Sequence, residues 1–281
     1  MGLNFNINHL SIFLMDIKKS ISRIIYSCYH NQNRDGEHFV PEHTLSFQID
    51  GTLILNDGTK EYPSTKGSFR LIRKNQLLKF IKQPPKKGDF KSISIYLDQK
   101  ILKDFSLEYN IIAAPVKKAP SVLNIKKNTL LNIYINSLIA YTNTDYLTNE
   151  AIVKTKINEG ILLLLQLNPE FKDILFDFSE PHKINLEAFM NQNYHFNVKL
   201  DRFAYLTGRS LATFKRDFEK TFNITPRKWL QKKRLQQAYY LILKEGKNSS
   251  DIYLDLGFED LTHFSHAFKK EFGCSPKNII P

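Results

Sequence analysis

The chain has 281 residues, 42% hydrophobic and 12% aromatic, a composition that excludes a disordered polypeptide and leaves room for about two domains. Forty Lys and Arg against 28 Asp and Glu give a formal charge of +12 and a pI near 9.4, which favours a polyanionic partner or an acidic surface. Cys28 and Cys274, nearly a chain length apart, exclude a disulfide framework and a zinc site and suit a reducing cytoplasm. The run Ile12 to Met15 is too short to span a membrane and has no small-residue cleavage site after it, so a cytoplasmic location without membrane contact is expected.

In chain order, residues 1 to about 30 mix apolar and basic side chains at roughly helical spacing (Ile12, Leu14, Ile17, Ile21, Ile24, Ile25), which predicts an N-terminal helix packed on the body of the protein. From His38 to Leu97 the period changes to two. Leu45, Phe47 and Ile49 alternate with polar neighbours, and Leu53 and Leu55 run into the tight-turn signal Asn56-Asp57-Gly58. Phe69 and Leu71, Leu77 to Ile81, and Ile93, Ile95 and Leu97 give further short strands, so a small antiparallel barrel or sandwich is expected. An interior lined by Phe47, Phe69 and Leu71 would accept an apolar ligand or simply be filled. His38, Glu42 and His43 form a partial metal cluster, but no later strand supplies a matching ligand, because the next histidine is His182. A phosphate-binding glycine loop, a nucleophile elbow and a paired-cysteine motif are all absent. No catalytic residue, metal or cofactor is therefore assigned, and a cupin-type metalloenzyme with an appended helical domain is the alternative reading.

After Pro115 and Pro120 the pattern turns helical, with one helix through Leu130 to Ile139 and a second from Ile152 to Leu167. The second contains Ile161-Leu162-Leu163-Leu164-Leu165, apolar on all sides, which suits either a dimer interface or packing on the chain's own strands. Prolines at 169 and 181 mark residues 169–184 as a linker, dividing the chain into domains 1–168 and 185–281.

The last domain carries 17 Lys and Arg against 10 Asp and Glu over residues 181–281, about twice the basic excess per residue of the rest. It also contains a duplication at an offset of 50 residues. Leu211, Phe214, Phe218, Phe222 and Pro226 return as Leu261, Phe264, Phe268, Phe272 and Pro276. Phenylalanines four residues apart place an aromatic stripe on one helical face, Ser210 and Asp260 stand at the N-caps, and Gly208 and Gly257 end short preceding helices. This is the pattern of a duplicated helix-turn-helix. With the stripes inward, the outward faces carry Ala212, Thr213, Lys215, Arg216 and Lys220 in the first copy, and Thr262, His263, Ser265, His266, Lys269 and Lys270 in the second. These side chains suit base edges and phosphates.

Between the copies, Thr225 and Pro226 start a longer helix that Gly246 ends. Twenty residues at 1.5 Å span ~30 Å, close to the ~34 Å turn of B-DNA, so both recognition helices can enter successive major grooves. Its basic run, Arg227, Lys228, Lys232, Lys233 and Arg234, lies where the phosphate backbone would pass.

The segments Thr207-Gly208-Arg209-Ser210, Phe214-Lys215-Arg216-Asp217-Phe218 and Thr225-Pro226-Arg227-Lys228-Trp229-Leu230 resemble the first motif of the AraC/XylS family of bacterial transcription regulators. Gly257-Phe258-Glu259-Asp260, His263 through Lys270 and Phe272-Gly273-Cys274-Ser275-Pro276 resemble the second. The stretch His43-Thr44-Leu45 through Gly51, Gly67, Pro84-Pro85 and Phe90 to Ile95 is similar to ExsA-type N-terminal domains. The resemblance covers residues 38–281 and implies an α+β protein: a cupin-like N-terminal barrel with dimerising helices, then two helix-turn-helix units joined by a long helix. It implies base contacts from Ala212, Lys215, Arg216, Thr262, His263 and His266, and Thr213, on the same outward face, is expected to join them. Phosphate contacts are expected from Arg209, Ser210, Lys220, Arg227, Lys228, Lys233, Lys269 and Lys270. The expected partners are double-stranded promoter DNA, RNA polymerase and a second copy of the chain, with an effector, small molecule or protein, unassigned.

Overall fold

The alternating segments of the first half pair into two antiparallel sheets in the computed structural model, which describes residues 23–31, 37–115, 119–142 and 144–279. The strands are β1 (Ile24–Tyr29), β2 (Glu37–Val40), β3 (His43–Asp50), β4 (Thr52–Asn56), β5 (Glu61–Ser64), β6 (Phe69–Ile72), β7 (Gln76–Gln83), β8 (Phe90–Leu97) and β9 (Val122–Ile125). One sheet runs β1-β8-β3-β6-β9 and the other β2-β7-β4-β5, so the body is a cupin-like sandwich and not a closed barrel. Its inter-sheet core joins Ile72, Phe90 and Val122 to Leu53, Leu55 and Leu78.

Two sequence expectations change here. Most of the expected N-terminal helix lies outside the described residues, but Ile24–Tyr29 is a strand in register with β8 (Ile24 opposite Ile95). Ile21, Ile24 and Ile25 satisfy helical spacing, yet a buried Ile24 followed by alternating half-buried and exposed residues is the edge-strand pattern that the free edge of β8 selects. Second, Phe47, Phe69 and Leu71 do not line the sandwich interior. They sit on the outer face of the five-stranded sheet with Ile93 and Ile95, buried under helices, so the expected ligand lining is filled core.

Those helices are α1 (Gln99–Glu108), α2 (Thr129–Tyr141), α3 (Glu150–Leu167) and α4 (Phe171–Leu175). They bury Leu102, Leu131, Ile135, Ile157, Ile161 and Leu175 on the sheet, each burial worth about 1.5–3 kcal/mol. The α2–α3 pair thus packs on its own sheet, leaving Leu130 (50%), Ile133 (60%) and Leu162 (42%) exposed. Because Phe171, Ile174, Leu175 and Phe176 belong to this core, the connection to the second half shrinks from the expected 169–184 to roughly 177–185.

The second half comprises α5 (Leu186–Asn193), α6 (Leu200–Leu206), α7 (Leu211–Phe222), α8 (Pro226–Glu245), α9 (Ser249–Ile252) and α10 (Leu261–Phe272). It holds two small cores threaded by one helix. The first gathers Met190, Phe203, Phe214, Phe218 and Leu230; the second gathers Leu235, Ala238, Ile252, Phe264 and Phe268. Leu230 and Leu235, both on α8, therefore belong to different units. The four-stranded sheet docks on this half: Leu77 of β7 and Phe39 of β2 join the first helical core, and Lys79 Nζ donates to the carbonyl of Asp255. The β4–β5 turn fits so closely that a Cβ on Gly58 would stand 2.6 Å from the His195 ring.

Candidate nucleic-acid interface

Each recognition helix starts on a side-chain cap. Ser210 Oγ accepts the Thr213 amide at 3.2 Å, and Asp260 Oδ1 accepts the His263 amide at 2.7 Å. Each ends on a left-handed residue, Asn223 at φ 54° and Gly273 at φ 77°, whose amide donates back to the last turn. Fixed ends and fully buried phenylalanines 214, 218, 264 and 268 set the rotation of both helices about their axes. What that rotation turns outward is the set the duplication predicts except Thr213 and Ser265, the latter half-buried with its hydroxyl donating to the Leu261 carbonyl at 2.8 Å. Ala212, Lys215, Arg216 and Lys220 are exposed on α7, and Thr262, His263, His266, Lys269 and Lys270 on α10. Thr213 is half-buried, its hydroxyl accepting from Ser210 Oγ at 3.0 Å.

Asp217 sits on a recognition helix but is tied back from its outward face. Arg209 Nε reaches Asp217 Oδ2 at 3.1 Å and Lys183 Nζ lies 3.4 Å from the same oxygen. The hydrogen bond from Arg209, with the neighbouring cations, holds this carboxyl below its ordinary pKa. The acid therefore stays ionised in a pair and faces the connection between the domains.

The same bond corrects one expected phosphate contact. The Arg209 side chain is 7% exposed and also donates to the carbonyls of Ile184 and Thr207. It braces the 177–185 connection against α7 and is not open to a phosphate. Gly208, beside it, adopts φ +65° and lies so near the connection that a Cβ would stand 2.3 Å from the His182 carbonyl carbon.

On α8, Arg227, Lys228 and Lys232 are exposed, whereas Arg234 is turned inward. Its guanidinium donates to three carbonyls, Tyr194 and Phe196 at 2.8 Å and Gly257 at 2.9 Å. The sequence places Arg234 in a basic run, and nothing in spacing alone distinguishes it; the signal that could have done so is its position between Leu230 and Leu235, on the buried side. Lys233 is half-buried, its ammonium 5.9 Å from the Tyr194 ring centre and 6.0 Å from that of Trp229. Ser210, Lys220, Lys269 and Lys270 are exposed at the ends of their helices.

Of the partial metal cluster, the His38 side chain lies outside the described residues. His43 is buried against the helical layer, where its Nδ1 accepts the Lys74 amide at 3.3 Å. Among the described residues, no three His, Cys, Asp or Glu side chains converge as a metal ion would require.

Comparison with known proteins agrees with this geometry. Residues 203–280 match the model of a helix-turn-helix domain, and residues 43–176 match that of the ExsA N-terminal regulatory domain. The chain is 23% identical over 266 residues to the HTH-type transcriptional regulator ExsA of Pseudomonas aeruginosa, covering 92% of this chain and 93% of that one. It is 32% identical over 121 residues to the virulence regulon transcriptional activator VirF of Yersinia enterocolitica, a match spanning 42% of this chain and 45% of VirF. The crystal structure of an apo point variant of ToxT from Vibrio cholerae aligns over 92% of this chain and 96% of its own at 13% identity, with a TM-score of 0.43. With both domain models matched in order along one chain, and with the duplicated helix-turn-helix in place, the protein is a DNA-binding transcription regulator built of an ExsA-type N-terminal domain and an AraC-type helix-turn-helix domain, homologous to ExsA and VirF.

Proposed function

We propose that the two recognition helices read successive major grooves on one face of promoter DNA and that the protein activates transcription there. The observation that carries this reading is the pair of capped helices on either end of α8, each turning uncharged or basic side chains outward at the reading positions. Lys215 and Arg216 suit the O6 and N7 acceptors of guanine, Thr262 suits a thymine methyl or a base-edge acceptor, and His263 and His266 donate or accept. Ser210, Lys220, Arg227, Lys228, Lys269 and Lys270 supply phosphate contacts, and Lys233 adds a weaker one from its aromatic seat. Activation fits the activator names borne by relatives such as VirF and brings in RNA polymerase as a partner. A second copy, joined through the exposed Leu130, Ile133 and Leu162, would add affinity. The protein works in the cytoplasm as a regulator and performs no catalysis on this reading.

The test is a gel-shift titration on promoter DNA across a salt series. Sequence-selective binding whose affinity falls steeply with salt is expected. Arg216→Ala should cost about 1–3 kcal/mol, concentrated at one base position, and Lys228→Ala should weaken all sequences alike while lowering the salt slope by about 1. Equal affinity for promoter and random DNA would overturn the reading.

A further inference from the structure

The face of the five-stranded sheet that looks at the second sheet carries an arginine. Arg70 is 0% exposed and stands in register between Ser46 on β3 and Asn124 on the edge strand β9. Its Nη2 donates to Ser46 Oγ at 3.1 Å and Gln48 Oε1 at 3.3 Å, both neutral. Nε and Nη1 are buried with no hydrogen-bond partner. Burial alone pulls its pKa down to about 9, with no acid acting on it from nearby, so at neutral pH the guanidinium is a buried cation without a counter-charge. Uncompensated burial of a charge costs several kcal/mol, and a fold keeps such a group only where something answers it.

A second orphan lies in the same interior. Ser64 on β5, the edge strand of the opposite sheet, is 2% exposed and its Oγ has no partner. Ser121, just before β9, donates to Asp57 in the β4–β5 turn at 3.0 Å, which brings the β9 and β5 edges to the same side of the sandwich. The interior there holds the unpartnered Arg70 and Ser64 donors, and Asn124, beside Arg70 on the edge strand, is exposed and marks a way in.

We propose that Arg70 and Ser64 form a binding site between the two sheets for one small monovalent anion, a halide or a carboxylate, which supplies the missing counter-charge. Entry passes the β9 edge at Asn124 and needs the two edges to part slightly. The site lies between the sheet that carries α1 to α4 and the sheet that docks on the helix-turn-helix half, so occupancy stiffens the body that positions the DNA-binding domain. This inference does not depend on the DNA reading above.

The test uses the full chain at pH 7.5 and fixed ionic strength, with sodium chloride or sodium acetate replacing the bulkier methanesulfonate while thermal unfolding is followed. A saturable rise is expected, about 3 °C at tenfold the dissociation constant, and Arg70→Met should abolish it. The anion that gives the larger rise identifies halide or carboxylate as the better occupant. Identical anion dependence in wild type and Arg70→Met, or none in wild type, overturns the proposal. A bromide-soaked crystal of the wild type gives a reading that needs no variant to fold. Anomalous density within hydrogen-bond distance of Arg70 Nε or Nη1 supports the site, and bound water there with no bromide contradicts it.

Discussion

At the scale of single residues, the side chains proposed to contact DNA sit beside a carboxylate that its neighbours hold back from the outward face. Asp217 would oppose a phosphate backbone if it swung outward, and Arg209 and Lys183 prevent that. Arg209→Ala should therefore weaken DNA binding by releasing the acid, and Asp217→Asn in the same chain should restore part of the loss; additive effects of the two changes in a gel-shift titration would contradict this. Two histidines set a pH limit. His43 is buried and His195 half-buried, both as neutral rings, with pKa values lowered from 6.5 to about 3 and about 4, by burial first and then by neighbouring cations. The unfolded chain takes up these protons near pH 6.5 and the folded chain only far below it. Their contribution is complete above about pH 6.5 and is lost as pH falls towards 4. The urea midpoint should drop across that window, which lies above the range where Asp57, lowered to about 2, gives up its share. His195→Gln should flatten part of the slope, and a flat wild-type midpoint between pH 6.5 and 4 would refute the assignment.

At the scale of elements, the long helix α8 joins two cores, and one side chain fixes how they meet. Arg234 holds the 194–196 loop of the first unit and the Gly257 turn of the second through three charge-assisted bonds. Its removal leaves three carbonyls to find new donors, so Arg234→Ala should lower unfolding stability by about 3 kcal/mol or more. Arg234→Lys should not rescue it, because a single ammonium lacks the fork geometry; full rescue in urea titrations would sink the argument. How legible this was depends on the kind of element. Helices 186–193, 211–222, 226–245 and 261–272 follow from spacing, caps and glycine stops, because local signals and tertiary packing agree there. The edge strands did not follow. β1 is chosen by the free edge of β8, β5 contains Pro63, and β9 is four residues between two irregular stretches, so each exists because a neighbour offers a ladder. The inward face of the five-stranded sheet was likewise hidden, since alternation shows which residues share a face and not which face meets helices. Arg209 and Arg234 read as surface cations because their carbonyl partners lie up to 40 residues away.

At the scale of the molecule, the sandwich and the helix-turn-helix half are pressed together over β2, β7 and the β4–β5 turn. Gly58→Val would drive its side chain into His195 and Phe196 and should separate the halves without unfolding either one. Faster limited proteolysis in the 177–185 connection, at an unchanged far-ultraviolet spectrum, is the expected result; an unchanged cleavage rate would show that the turn is not a docking point. The central claim is that α8 sets two recognition helices one turn of DNA apart. Its most direct measurement is the affinity of the full chain for an operator selected from random duplex DNA, compared with the same operator carrying five extra base pairs between its two boxes. Half a turn puts the second box on the opposite face, so binding should weaken by at least about a hundredfold and approach the level of one box alone. Equal affinity for the two duplexes would contradict the account.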